Sequence, residues 1–171
     1  MTWNIRDATA RDMPAVLDIY NASIPSRLAT TDLEPVTLQQ RLLSFQHHSP
    51  DRRPFWVAEV EGGSRHGAIA GYCSIRDFYG RPAYHATVEI AIYLHPDHQG
   101  QGLGPVMLQH ALDQCPRLHI RTVLALVFTH NQPSVRLFER FGFERWGTLP
   151  NVAELDERWV DVAILGWQRE A

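Results

Sequence analysis

Three alternating glycines near the middle of the chain, Gly100, Gly102 and Gly104, most constrain how this sequence can fold. They directly follow an apolar run typical of a strand and directly precede a run typical of a helix. Glycine permits positive φ and a close approach of the backbone to a ligand, and the first N–H groups of a helix have no partner within it. This arrangement predicts a strand–turn–helix unit and a cradle for an anion such as phosphate or pyrophosphate.

The same glycine pattern does not fit two common nucleotide-binding loops. It lacks the Gly-Lys-Ser/Thr ending of a nucleoside-triphosphate P-loop. It does not match the Gly-x-Gly-x-x-Gly dinucleotide fingerprint, because its glycines alternate through Gly104 and lie in mid-chain rather than after a first strand. A glycine-rich turn without a ligand remains the alternative, and the flanking strand and helix favour the anion site over it.

Composition narrows the class of protein. A length of 171 residues fits one domain with a substantial core, and a net charge of −3 argues against a nucleic-acid partner. The N-terminus carries charge early and no apolar run approaches the length of a membrane span, so we expect a cytoplasmic protein with no membrane partner. Cys73 and Cys115 lack metal-ligand spacing, and no second cluster completes a site with His95 and His98, so we expect buried thiols and no metal.

Hydrophobic periodicity predicts the element order βααβββαβαββ, which fits one mixed α/β sheet with helices on both faces. A nearly continuous apolar run, Thr122–Phe128, is typical of a strand covered on both faces. Two segments lack such periodicity. We expect Ser23–Glu34 to form an irregular part of a substrate wall and Gly147–Asp156 to form a loop.

One charged side chain, Glu89, stands alone in the longest predicted strand, His85–Leu94. Strand alternation places it on one face with Thr87, Ala91 and Tyr93, while the other face is apolar. Because desolvation disfavours a charged carboxylate, a residue of this kind needs a reason to be there. Either it is solvated or ion-paired, or it serves as a general base.

Two motifs resemble those of one enzyme superfamily. The run Gln99-Gly100-Gln101-Gly102-Leu103-Gly104 is similar to the loop that binds the pyrophosphate of acetyl-CoA in the GNAT superfamily of N-acetyltransferases. The run that contains Asn131 and Ser134 and ends in Gly142-Phe143 resembles the Asn-x-x-Ser/Ala helix of that superfamily, which ends in Gly-Phe.

Two further pieces resemble one branch of the superfamily, the phosphinothricin and methionine sulfoximine acetyltransferases. They are Thr87-Val88-Glu89 with Tyr93, and Arg158-Trp159-Val160-Asp161. The likeness runs from about Ile5 to Trp167, which is nearly the whole chain.

The resemblance implies a fold, an activity and a set of site residues. The fold is a single GNAT-like N-acetyltransferase domain over residues 1–171, with a central mixed sheet of about six to seven strands flanked by about four helices. The activity is acetyl-CoA-dependent acetylation of a small-molecule amine, such as an amino acid or an analogue of the phosphinothricin or methionine sulfoximine type. The resemblance also implies a homodimer.

Glu89 corresponds to the catalytic base that is proposed for related acetyltransferases. Residues implied to bind acetyl-CoA are backbone groups of Ile92, Tyr93 and Leu94 at the pantetheine, Gln99, Gly100, Gln101, Gly102, Leu103 and Gly104 at the pyrophosphate, and Asn131 and Ser134 at the pantetheine or adenosine. For Asn131 a helix cap remains the alternative, and for Ser134 simple packing.

The chain departs from the superfamily pattern at two positions beside the cofactor. Phe138 stands where many members have a tyrosine that protonates the departing thiolate, and phenylalanine cannot donate a proton. Pro105 follows the glycine loop, where it suits a first helical turn but supplies no N–H donor.

A third departure concerns the acceptor. Tyr79 and His85 stand where relatives that acetylate amino acids have arginines for the substrate carboxylate, and Arg76 or Arg81 could replace them from shifted positions. Tyr79, Arg81 and His85 are therefore the predicted substrate residues. The acceptor could equally lack a carboxylate.

Two other functions remain open on the sequence. A protein or peptide N-acetyltransferase would show a broad groove beside Glu89, whereas a closed pocket walled by Ser23–Thr31 and Gly147–Asp156 would argue against it. A catalytically silent acyl-CoA-binding sensor is favoured by Phe138 and disfavoured by Glu89.

Overall fold

The computed structural model describes all 171 residues and confirms the predicted order of elements. Eleven helices and strands follow one another as β1 Thr2–Asp7, α1 Met13–Ser23, α2 Leu38–Phe45, β2 Phe55–Glu61, β3 Ile69–Asp77, β4 Thr87–Leu94, α3 Leu103–Gln114, β5 Thr122–Phe128, α4 Gln132–Arg140, β6 Glu144–Leu155 and β7 Arg158–Gln168. None of the helices has the length and apolarity that a membrane span requires.

The seven strands form one mixed sheet in the order β1-β2-β3-β4-β5-β7-β6. Only β4 and β5 run parallel as neighbours, since α3 forms the crossover between them. Helices α3 and α4 cover one face, where Leu103, Met107 and Phe138 belong to the larger apolar core. Helices α1 and α2 cover the other face, over a smaller core that includes Met13, Val16 and Tyr72. This is the predicted mixed sheet with helices on both faces.

Strands β4 and β5 pair over only three residues and then separate. Their register begins at Thr87 with Thr122 and ends at Glu89 with Leu124. Beyond that point β4 stays paired with β3 as far as Leu94, and β5 stays paired with β7 as far as Phe128. The sheet therefore contains a gap that starts at Glu89, and the β5-facing backbone groups of residues 90–94 have no partner strand.

The prediction of a loop at Gly147–Asp156 is wrong, because most of this segment belongs to strand β6. Strand β6 is one of the two edges of the sheet, pairs only with β7, and carries two register shifts, one of them between Leu149 and Ala153. Almost all of its residues are exposed or partly exposed, so no apolar alternation marks it. Asn151, with φ of 50°, and Pro150 give the segment the composition of a turn although it lies within a strand.

Gly71 sets how closely β3 approaches the carboxyl half of β4. A Cβ at Gly71 would lie 2.8 Å from Leu94 Cδ2 and 2.9 Å from the Tyr93 carbonyl oxygen. We expect Gly71→Ala to lower the free energy of unfolding by about 1–3 kcal/mol, because the added methyl group overpacks this contact. Urea denaturation of the variant measures the loss, with Gly147→Ala as control, since its Cβ would meet Ile164 Cδ1 at 3.7 Å. An unchanged stability of Gly71→Ala would show that β3 and β4 separate freely here.

Candidate active site

A cavity of about 560 Å³ opens where β4 and β5 separate. Its walls come from residues 89–93 of β4, residues 125–128 of β5, one side of α4 with its N-cap, one side of α2, and residues 28–32 in the connection between α1 and α2. The predicted irregular segment Ser23–Glu34 does contribute a wall. No residue of 147–156 lines the cavity, so the second predicted wall is absent.

Three cross-strand pairs of β3 and β4 form the floor of this cavity. Tyr72 pairs with Tyr93, Ser74 with Ala91, and Arg76 with Glu89. All six residues line the cavity. The two tyrosine rings stack with centroids 5.2 Å apart, and the small side chains of the middle pair leave a hollow between the rings and the Arg76–Glu89 pair.

Glu89 is held by a bidentate ion pair. Arg76 donates from Nε to Glu89 Oε2 and from a terminal nitrogen to Oε1, each at 3.0 Å. The Glu89 side chain is 15% exposed, whereas that of Arg76 is 65% exposed. The hydrogen bonds to Glu89 raise the pKa of Arg76 above its ordinary value. This pair therefore fixes the orientation of the Glu89 carboxylate at the cavity.

A tyrosine cluster fixes the segment that walls the cavity. The Tyr20 hydroxyl donates to Asp32 and lies 2.6 Å from the Thr30 hydroxyl. The Tyr93 hydroxyl donates to the Ala29 carbonyl oxygen at 3.0 Å. Burial and the bond to Asp32 raise the pKa of Tyr20, so its hydroxyl stays protonated. These bonds connect α1 and β4 to the irregular segment between α1 and α2.

Asn131 caps α4 and also anchors the same wall. Its side-chain oxygen accepts from the Ser134 N–H at 3.3 Å, and its amide nitrogen donates to the Leu28 carbonyl oxygen at 3.0 Å. Asn131 is buried, Ser134 is half-buried, and both line the cavity. Phe138 is 4% exposed and lines it one turn further along the helix. The helix cap therefore engages the oxygen of the Asn131 side-chain amide, and the bond to Leu28 engages its nitrogen.

The glycine loop lies at the carboxyl end of β4, outside the cavity lining. Gly100 and Gly102 have φ of 71° and 87°, the region that glycine favours, and Gly102 is the N-cap of α3. The backbone N–H groups of residues 100–104 donate to no oxygen of the chain. Gln101 Nε2 donates to the Asp97 carbonyl oxygen at 2.9 Å and so braces the loop. This row of free donors at a helix N-terminus suits an anion.

The predicted site residues fall into two groups. Glu89, Ile92, Tyr93, Asn131 and Ser134 lie together on the cavity. Residues outside its lining are Leu94, which ends β4, the loop Gln99–Gly104, and the three predicted substrate residues Tyr79, Arg81 and His85.

The three predicted substrate residues are exposed. Tyr79 is 71% exposed and packs against Phe78 and Tyr84, and His85 Nδ1 lies 3.0 Å from the Pro82 carbonyl oxygen. The cations on the cavity are instead Arg76, which the sequence offered as an alternative, and Arg41 of α2, which it missed. Arg41 reaches the cavity because of the way α2 packs against the sheet, and no local sequence pattern predicts that packing.

Comparisons with known proteins agree with this geometry. The model of the Acetyltransferase (GNAT) family matches residues 13–143. The Bacillus subtilis protein YwnH, provisionally named a phosphinothricin acetyltransferase, is 45% identical over 162 residues, which cover 95% of this chain and 96% of YwnH. An L-methionine sulfoximine/L-methionine sulfone acetyltransferase of Pseudomonas aeruginosa is 30% identical over 165 residues, 96% of this chain and 94% of that protein.

A crystal structure extends the comparison to a protein with acetyl-CoA bound. The GNAT superfamily phosphinothricin acetyltransferase from Sinorhizobium meliloti, in complex with acetyl-CoA, superposes with a TM-score of 0.90 at 30% identity. The superposition covers 98% of this chain and 89% of that one. The chain therefore belongs to the GNAT acetyltransferase family.

Proposed function

We propose that this protein is an acetyl-CoA-dependent N-acetyltransferase whose acceptor is the amine of a small molecule, an amino acid or an analogue of one. The observation that carries the proposal is the gap between β4 and β5. It begins at Glu89, exposes the unpaired backbone of residues 90–94, and ends beside the free N–H groups of residues 100–104. A carboxylate that can act as a base, an unpaired strand edge and an anion site thus follow one another along β4 and the loop after it.

The anion site and the unpaired strand edge each fit one part of acetyl-CoA. The N–H groups of 100–104 would bind the pyrophosphate. The β5-facing backbone of Ile92, Tyr93 and Leu94 would pair with the amides of the pantetheine arm as an added strand does. Ser134 would contact that arm through its hydroxyl, while Asn131 would hold the end of α4 and the wall at Leu28 in place.

Glu89 would remove the proton that the acceptor amine loses. A neutral amine attacks the thioester carbonyl, the C–N bond forms, the C–S bond breaks, and the thiolate leaves. Glu89 takes the amine proton, directly or through a water molecule. Phe138 offers no proton to the thiolate, so the proton comes from another group or from water, or the thiolate leaves unprotonated. An N–H of the β4 edge would stabilise the oxyanion of the tetrahedral intermediate.

One wall of the cavity favours a small acceptor over a protein, while the second wall expected from residues 147–156 is absent. Residues 28–32 wall it, and bonds from Tyr20, Tyr93 and Asn131 hold that wall in place. A peptide would need a broad groove beside Glu89 instead. Phe138 favours a silent acyl-CoA sensor, because phenylalanine cannot donate a proton to the thiolate. A measurement of turnover distinguishes the sensor from the enzyme.

We also propose a homodimer, as the resemblance implies. Strand β6 is an unpartnered edge, and Trp146, Leu149 and Val152 on it and Trp159 on β7 expose large apolar side chains. Surfaces of this kind are where a second copy packs readily.

The release of free CoA thiol tests the activity directly. We expect purified protein to bind acetyl-CoA in calorimetry and to release thiol with at least one amine in a panel of amino acids, amino-acid analogues, polyamines and lysine peptides. Small amines should be turned over faster than peptides. Binding without thiol release for any amine would instead support the sensor, and the absence of binding would exclude both functions.

A further inference from the structure

We infer that Arg41 binds a carboxylate of the acceptor and thereby selects amines that carry one. The inference rests on the proposed acetyltransferase activity and assigns a part of the cavity that none of the family motifs reaches. Arg41 lies on α2 and lines the cavity that also contains Glu89.

Arg41 has no partner for its charge within the chain. Its Nε is buried without a hydrogen-bond partner, and it takes part in none of the ion pairs of the protein. Arg76, the other arginine on the cavity, is bound to both oxygens of Glu89. A buried N–H donor without a partner is unfavourable, so an anionic ligand at Arg41 would give its Nε the hydrogen bond that the chain does not supply.

Aromatic rings hold the guanidinium of Arg41 in place. Its Cζ lies 4.4 Å from the centroid of the Tyr20 ring and 6.0 Å from that of Tyr72. Tyr20 is itself fixed by Asp32 and Thr30 and contacts Tyr93 with ring centroids 5.2 Å apart. A guanidinium stacked on a fixed ring loses little further entropy when its N–H groups bind a carboxylate in a fork.

Each of the other charged groups on the cavity has a hydrogen-bond partner within the chain. Asp32 accepts from Tyr20, and Glu89 accepts from Arg76. His48 lines the cavity from the end of α2, with its Nδ1 at 3.1 Å from the Arg53 carbonyl oxygen, and burial lowers the pKa of its imidazole, so it is neutral near pH 7. Arg41 is therefore the charged group on the cavity that has neither an ion pair nor a hydrogen bond to its Nε, and a carboxylate of the acceptor would supply both.

Matched acceptors with and without a carboxylate test the assignment. The probes are L-methionine sulfone and L-methionine sulfoximine, each compared with its α-carboxamide, on wild type, Arg41→Gln and Arg41→Lys. Thiol release gives kcat/KM, and calorimetry on CoA-saturated protein gives acceptor affinity without turnover. Arg11→Gln is the control, because Arg11 is exposed and lies outside the cavity.

We expect wild type to prefer the carboxylates, and Arg41→Gln to lower kcat/KM for them by roughly 30-fold or more while the carboxamides change little. Arg41→Lys should recover part of the preference, since it keeps the charge but loses the fork. Wild type that treats each pair alike, or Arg41→Gln that keeps the preference in kcat/KM and in affinity, would overturn the assignment. If no amine is turned over but the affinity difference exists and depends on Arg41, the proposed activity fails and the carboxylate site stands.

Discussion

Replacing Glu89 by glutamine should lower kcat by about 10²- to 10⁴-fold, because the variant keeps the shape of the site and loses its proton acceptor. The carbonyl oxygen of the new amide can still accept one hydrogen bond from Arg76, so the β3–β4 floor should persist. The affinity for acetyl-CoA should be essentially unchanged, because Glu89 lies at the start of the strand gap and the anion site lies at its far end. Steady-state thiol release and calorimetry on the same preparation measure the two quantities.

Glu59 provides a matched control for this substitution. It also lies on a strand and accepts from an arginine, Arg6 Nε, at 2.6 Å, with its side chain 25% exposed against 15% for Glu89. It does not line the cavity. Glu59→Gln therefore removes a similar ion pair and should leave kcat unchanged. Near-normal turnover in Glu89→Gln would assign Glu89 a purely structural part, as the ion partner of Arg76.

The elements that bury an apolar face could be predicted from the sequence, because burial imposes a period. Strand β5 matches the apolar run Thr122–Phe128 residue for residue. Gly142 of the Gly-Phe motif follows α4 with φ of 86°, the left-handed conformation in which many helices end. The predicted order contains two strands after α4, but the extent of β6 could not be predicted, because an edge strand that faces solvent has no such period and its bulge allows Asn and Pro.

Some residues of the candidate site could likewise be predicted from the local sequence, and others could not. Residues near one another in sequence, such as the glycine loop and the Glu89 strand, are recognisable because the turn and the strand fix their geometry locally. The Arg76–Glu89 pair follows from the register of β3 on β4, and Arg41 meets Tyr20 only because α2 packs beside α1 on the same face of the sheet. Contacts of this kind depend on tertiary packing, which no local spacing encodes. The aromatic loop residue Tyr79 looked suitable by position alone and lies outside the cavity.

Replacing Gly104 by valine should weaken acetyl-CoA binding by roughly 100-fold or more. Gly104 is buried in the first turn of α3, and a Cβ there would lie 3.3 Å from Leu137 Cδ2 and 3.9 Å from Leu94 Cδ1. The branched side chain would push the start of α3 away from α4 and β4 and tilt the free N–H groups of residues 100–104. Misaligning two charge-assisted hydrogen bonds, each worth about 1.5–3 kcal/mol, accounts for a loss of this size.

Gly104→Ala and Gly147→Val separate this effect from general destabilisation. Gly104→Ala should give a smaller loss of affinity, because Leu137 can yield by a few tenths of an ångström to a single methyl group. Gly147→Val places the same side chain in strand β6, where a Cβ meets nothing closer than 3.7 Å, and should bind acetyl-CoA as wild type does. Calorimetry on protein that thermal melting shows to be folded gives each affinity. A folded Gly104→Val with wild-type affinity would mean that the N–H groups of this loop do not hold the pyrophosphate, since no other row of free donors ends the gap between β4 and β5.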